Sequence, residues 1–278
     1  MVRPYKTNED ASMLGLWSIW KREVRYYFSQ PAAYIMIAVF LVIANLAFLF
    51  IFNYYTLQSS EMGRMTSQLP YDFTPNWIIK AVFDFLGTVI LIMLPFITMR
   101  LMAEEKRNRT DELMYTSPIS VTEIVSGKFL AALSLLFAML LLTIYLPLLV
   151  AKYGELKWAQ VFSGYAGLFL MGAGFISIGL FISSLTESQV VAGLVTFGLL
   201  LALWLVSGMG EIIGRVLDVL TPSLGAGVEG GLKYMSLNDH LSPFLDGFVD
   251  TRDFLFYASV IVLGLFLTHR VIDSSRWR

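Results

Sequence analysis

Glu104 and Glu105 open the stretch of this chain best equipped for chemistry, EEKRNRTDELMYTSPISVTEIVSGK, which ends at Lys128. Lys106, Arg107 and Arg109 follow at once, then Thr110, Glu112, Leu113, Thr116 and Pro118. Acids and bases interleaved this closely suit charge-assisted hydrogen bonds to another protein. The groups that bond-breaking chemistry needs are missing. There is no cysteine, hence no thiol nucleophile, thiolate metal site or disulfide, and two histidines are too few for a zinc cluster. Asp239-His240 stands without a nucleophile or a metal set. No phosphate-binding loop is present: Gly127-Lys128 is followed by Phe129, and Thr122 stands where the first glycine belongs. The chain is expected to be no enzyme, and to bind no metal and no cofactor of its own.

The island divides in two. Composition favours helix over Glu104–Tyr115, and Thr116-Ser117-Pro118 breaks it. A second helix then starts either with Ser117 as N-cap and Pro118 in the first helical position, or with Ser120 and Glu123 at capping-box spacing. A connection of 25 residues between apolar segments is long for a hairpin and is commonly a working surface. By composition it fits both a rigid docking helix and a solvated loop that only fixes topology.

What must position the island is a membrane bundle. The chain has 278 residues, 56% of them hydrophobic and 15% charged, with a net charge of −1 that argues against a nucleic-acid partner. Six stretches are long and apolar enough to cross a bilayer: 32–52, 77–101, 129–151, 160–184, 189–208 and 254–272. The first begins about 30 residues in with no small-residue cleavage site after it, so no secretory signal is read. Six spans put both termini on one side. With an inside N-terminus, the inner segments hold 13 of the 20 Lys and Arg residues although the outer loops are longer, so the termini and 104–128 are assigned to the cytoplasm.

Ahead of the first span, residues 12–30 carry apolar side chains at helical spacing, among them Trp17 and Trp20, with Lys21, Arg22 and Arg25 opposite. That pattern predicts an elbow helix lying flat on the inner leaflet and ended by Pro31. On the outer side, 209–253 is too long and too apolar for a plain loop. Glu211–Leu220 reads as one short amphipathic helix; beyond the glycine-rich 225–231, a second stripe contains Leu237, Leu241, Phe244, Leu245 and Phe248. These are expected to be re-entrant or interfacial helices that gate, dock a partner or cap the bundle. Inside the membrane, Asp84 is expected to pair with Lys80 one turn away, and Asn45 to bond between helices. Asp84, Asn45, Phe244 and Phe248 are the candidates for a pathway or gate. Pro95 and Pro147 are placed to kink the second and third spans.

The order of elbow, six spans, AEEKRNRTDELMYTSPIS after the second span and a large outer loop before the last resembles the ABC-2 family of ABC-transporter permeases. Within that family, residues 96–129, 178–193 and 234–257 look most like the gliding-motility type. Family members usually carry a glycine before the Thr of Thr-x-Glu-Leu, where this chain has Arg109. The resemblance implies an all-α membrane fold of the ABC-2 (type V exporter-like) kind, forming one domain over 1–278. It makes 104–128 the coupling loop gripped by an ATPase through Glu104, Glu105, Arg107, Thr110, Glu112, Leu113, Thr116 and Pro118. It further implies two ATPase copies carrying ATP and Mg, a second permease copy, identical or related, and a place in the bacterial inner membrane. Cargo would move outward; an auxiliary outer-face membrane protein is a further expected partner. Two other readings are an ATP-driven machine acting on an outer-face partner and an ion-coupled secondary transporter.

Overall fold

The computed structural model describes residues 8–65, 75–109, 120–220 and 222–275. Its helices are α1 Asn8–Ser29, α2 Pro31–Met65, α3 Pro75–Thr98, α4 Ala103–Arg107, α5 Val121–Leu141, α6 Tyr145–Val150, α7 Trp158–Leu185, α8 Gln189–Leu220, α9 Pro222–Met235, α10 Ser242–Leu245 and α11 Thr251–Ser275. The described residues contain no strand. Six of these stretches are long and apolar enough to cross a membrane. In hydrocarbon every backbone N–H and C=O must be satisfied internally, and a helix does so within a single segment.

α3, α5 and α7 are buried over half or more of their apolar windows, whereas α2, α8 and α11 expose most of theirs. α7 is the axis because small residues let its neighbours touch its backbone. A Cβ at Gly164 would sit 2.4 Å from the Phe83 ring, one at Gly172 would sit 2.5 Å from Leu136, and one at Gly179 would sit 2.2 Å from the Thr98 hydroxyl. With no side chain between them, α3 and α5 pack on α7 at close range.

Only the bend at Gln30 separates the end of α1 at Ser29 from the start of α2 at Pro31, so the elbow and the first span meet at a corner. The third span is interrupted at residues 142–144. Pro147 has no N–H to give the Thr143 carbonyl, which accepts from the Leu146 N–H at 2.9 Å; the Thr143 hydroxyl bonds the Leu140 carbonyl at 2.7 Å and meets the Tyr165 hydroxyl at 3.1 Å. Pro95 lies inside α3 without ending it.

The side away from the elbow departs from expectation. Glu211–Leu220 is no separate helix; α8 runs unbroken through it for 32 residues. Pro222 stops it, since a proline cannot donate to the preceding turn. The glycine-rich 225–231 is helical as part of α9. α9 folds back on α8, with Leu232 against Gly210 at 2.9 Å from the position a Cβ would take, and this packing overrides the poor helix propensity of glycine. Nor is 237–248 a helical stripe. Only Ser242–Leu245 is helical, and Gly247, at φ +93°, turns the chain away. Leu237, Leu241, Phe244 and Leu245 are buried, but Phe248 is 71% exposed.

Candidate functional site

Lys128, two turns into α5, is 2% exposed. Its ammonium donates to Glu105 Oε1 at 2.8 Å and to Glu23 Oε1 at 3.4 Å. Arg22 donates to Glu23 at 2.7 Å and lies 3.6 Å from Glu105. A buried ammonium is tolerable only when paired, and here the two carboxylates come from two other elements, α1 and α4. Burial pushes the Glu23 carboxyl up, but Lys128 and Arg22 together outweigh it and hold the group below the ordinary carboxylate range. Next to this network the Tyr26 hydroxyl donates to Glu104 Oε1 at 2.9 Å.

The elbow is seated on α5 as well as on any membrane. Ile19 covers Gly127, where a Cβ would come within 2.7 Å of it, and Trp20 Nε1 donates to the Ser134 hydroxyl at 2.9 Å. Trp17 and Trp20 rings lie 4.5 Å apart. Trp17, Lys21, Arg22 and Arg25 are exposed. α5 itself starts at the second of the two expected sites. Ser120 accepts from the Glu123 N–H at 3.3 Å, and Glu123 accepts from the Ser120 N–H at 2.9 Å, a complete capping box.

α4 is much shorter than the helix expected over Glu104–Tyr115. It ends at Arg107, and Arg109 takes φ +54°, among the described residues the one positive φ outside glycine. That is a backbone shape glycine adopts without steric cost. The far end of α4's hold is α7. The Ser183 hydroxyl accepts the N–H groups of Met102 and Ala103, each at 3.1 Å, satisfying donors that the start of a short helix leaves open. Lys106 Nζ donates to the Ser184 carbonyl, at the negative end of the α7 dipole. α4 is thus bonded to the elbow, to the third span and to the fourth.

Of the expected docking residues, the structure brings Glu104 and Glu105 together with the elbow and leaves Arg107 exposed. Glu105 pairs inside the chain with Lys128, as a buried cation requires. Thr110, Glu112, Leu113, Thr116 and Pro118, like the alternative cap Ser117, lie outside the described residues. Glu23, Ser183 and Lys128 were missed as site residues. Glu23 had a signal, for it falls at apolar spacing between Trp20 and Tyr27, and an acid there calls for a cation.

Elsewhere Asn45 behaves as expected and other polar groups do not. Lys80 bonds Asp246, not Asp84, joining α3 to the turn after α10. Asp84 is exposed on α3 and has no ion pair among the described residues. Asn45 bonds between helices, accepting from the Tyr145 hydroxyl at 2.6 Å. Phe244 is fully buried against Gly167, and its carbonyl accepts from Ser163 at 2.7 Å. His240 ignores neighbouring Asp239 and meets Asp253 of α11 at 2.6 Å, with its other nitrogen 3.0 Å from the Tyr234 carbonyl. The ring stacks on Phe256 at 3.8 Å between centroids, so the trio fastens 234–240 to the last span.

Residues 53–220 match the family described as ABC-2 family transporter protein. No curated protein matches the chain.

Proposed function

We propose, for a chain that belongs to the ABC-2 transporter family and is therefore the membrane permease of an ABC transporter, that α4 and the segment after it are the seat of a separate ATPase. ATP and Mg belong to that partner. The observation that carries this reading is the triple hold on α4: Glu104 on Tyr26, Glu105 on Lys128, and Met102, Ala103 and Lys106 on the end of α7. A push on this short helix reaches the elbow and two core spans at once. The excess of Lys and Arg in the same segments supports placing this face in the cytoplasm.

Two ATP sites require two sets of spans, so the permease works as a pair, and the exposed apolar faces of α2 and α8 are surfaces on which a second copy can pack. Cargo moves outward, and the resemblance of 96–129, 178–193 and 234–257 supports a gliding-motility-type complex. A second reading, work done on an outer-face partner rather than on cargo, draws on the exposed Phe248 and Val249 on that side.

Docking and transmission are separable by experiment. In the co-expressed complex, Glu112→Arg with Leu113→Asp is expected to lose the ATPase on purification while the permease inserts normally. Lys106→Met is expected to keep the ATPase bound but to uncouple its hydrolysis from cargo. Wild-type complex recovery and coupling in both variants would remove the coupling role from this segment.

A further inference from the structure

On the elbow face, α1, the first turns of α2, the last turns of α3 and α4 enclose a cavity of about 750 Å³. Its lining is divided. Arg22, Glu23, Tyr26, Tyr27, Glu104, Glu105, Arg100 and Lys128 form the end nearest the elbow; Ile35, Met36, Met93, Phe96 and Ile97 form the end that reaches into the bundle. Met36 is five residues into α2 and Met93 five residues from the end of α3, so at about 1.5 Å per residue the apolar end lies roughly 7 Å below the helix corners. That depth is where acyl chains begin beneath their head groups. The apolar end is not sealed, for Ile35 is 60% and Phe96 55% exposed, on spans whose outer faces would meet lipid.

Charge narrows the occupant. Lys128 and Arg22 are offset by Glu23 and Glu105. What remains is Arg100, half-buried and with no side-chain ion pair or hydrogen bond among the described residues, and Glu104, whose carboxylate has one described bond, from the Tyr26 hydroxyl to Oε1. The Tyr27 side chain, also lining the cavity, makes no described hydrogen bond, and burial followed by the nearby Glu23 and Glu104 charges pushes its phenol upward, so it stays a donor. A guanidinium and a phenol aimed into a cavity suit a phosphate; a carboxylate beside them suits an ammonium.

We infer that this cavity is a binding site for one glycerophospholipid with a compact zwitterionic head, its phosphate on Arg100 and Tyr27, its primary ammonium toward Glu104 and an acyl chain along Met36, Met93 and Phe96. The lipid fills the joint between elbow, first two spans and α4. The assignment goes beyond the transport reading, because binding requires neither cargo nor an ATPase.

The test is native mass spectrometry of the detergent-purified full chain titrated with dioleoyl-phosphatidylethanolamine. A single saturable adduct per chain is expected. Phosphoethanolamine alone and dioleoylglycerol, which supply head without chains and chains without head, are expected to give none, and phosphatidylglycerol to bind several-fold more weakly. Arg100→Gln is expected to weaken the adduct about tenfold or more. Met36→Trp, which fills the apolar end and leaves every polar group in place, is expected to abolish it. Far-ultraviolet circular dichroism and gel filtration confirm that each variant is folded. Non-saturating adducts unchanged in both folded variants would mean ordinary annular lipid and overturn the site. Phosphatidylglycerol binding as tightly as phosphatidylethanolamine would overturn the zwitterionic head.

Discussion

Lys128 illustrates how one side chain can tie distant sequence together, for its partners lie 105 and 23 residues away. Removing the cation takes away the 2.8 Å partner of Glu105 and leaves Glu23 to Arg22, and breaking a buried pair this way costs about 3–5 kcal/mol. Lys128→Met is expected to lower thermal stability by an amount in that range, discounted because the acids keep some solvent contact, and adding Glu23→Gln to Lys128→Met is expected to recover part of the loss. The network also sets a pH dependence. Glu23 titrates lower in the folded chain than in the unfolded one, so its contribution is complete above the ordinary carboxylate range and disappears as pH falls through the folded value. Melting temperature is expected to hold from neutrality to mild acid and then fall, with a shallower fall in Glu23→Gln. Arg109 offers a change of opposite sign. An L-residue in the left-handed region costs about 1–2 kcal/mol, so Arg109→Gly is expected to stabilise the fold by up to about 1 kcal/mol after the unfolded state's gain in freedom.

Elements were legible where a local signal decides them. The spans show as charge-free runs, the start of α5 as Ser120 with Glu123, and the corner between elbow and first span as Pro31. They were illegible where packing overrules composition: α9 is helical through its glycines because α8 supports it, and 237–248 turns because its apolar side chains are held by α3 and α7. The site was half legible. Glu104 and Glu105 stood out as charges, but nothing local says that Ser183, some 80 residues on, closes the corner between α3 and α4. Ser183→Ala leaves two backbone N–H groups without an acceptor, at about 1–3 kcal/mol for such a loss. Faster hydrogen exchange at Met102 and Ala103 is expected, with the rest of α3 unchanged; unaltered exchange there would mean the corner is held by something else.

As a whole, the molecule has a tight axis and a loose rim. The core of α3, α5 and α7 is closely packed, with side chains of α3 and α5 set against the backbone of α7. With no native cysteine, its orientation can be read by single cysteines at exposed sites: one at Asn108 is expected to be shielded from an impermeant thiol reagent in intact cells, and one at Asp250 to be labelled. Labelling at Asn108 would reverse the topology. The unbroken α8 adds a matter of reach. Its 32 residues, at about 1.5 Å each, measure about 48 Å against a hydrocarbon core of about 30 Å, and it starts at the elbow face. Upright in the bilayer, it would leave some 18 Å clear of the acyl chains on the opposite side. Met209, Ile212 and Val216, exposed at helical spacing, would then stand as a greasy mast above the membrane, to be shielded by something outside the bilayer's interior.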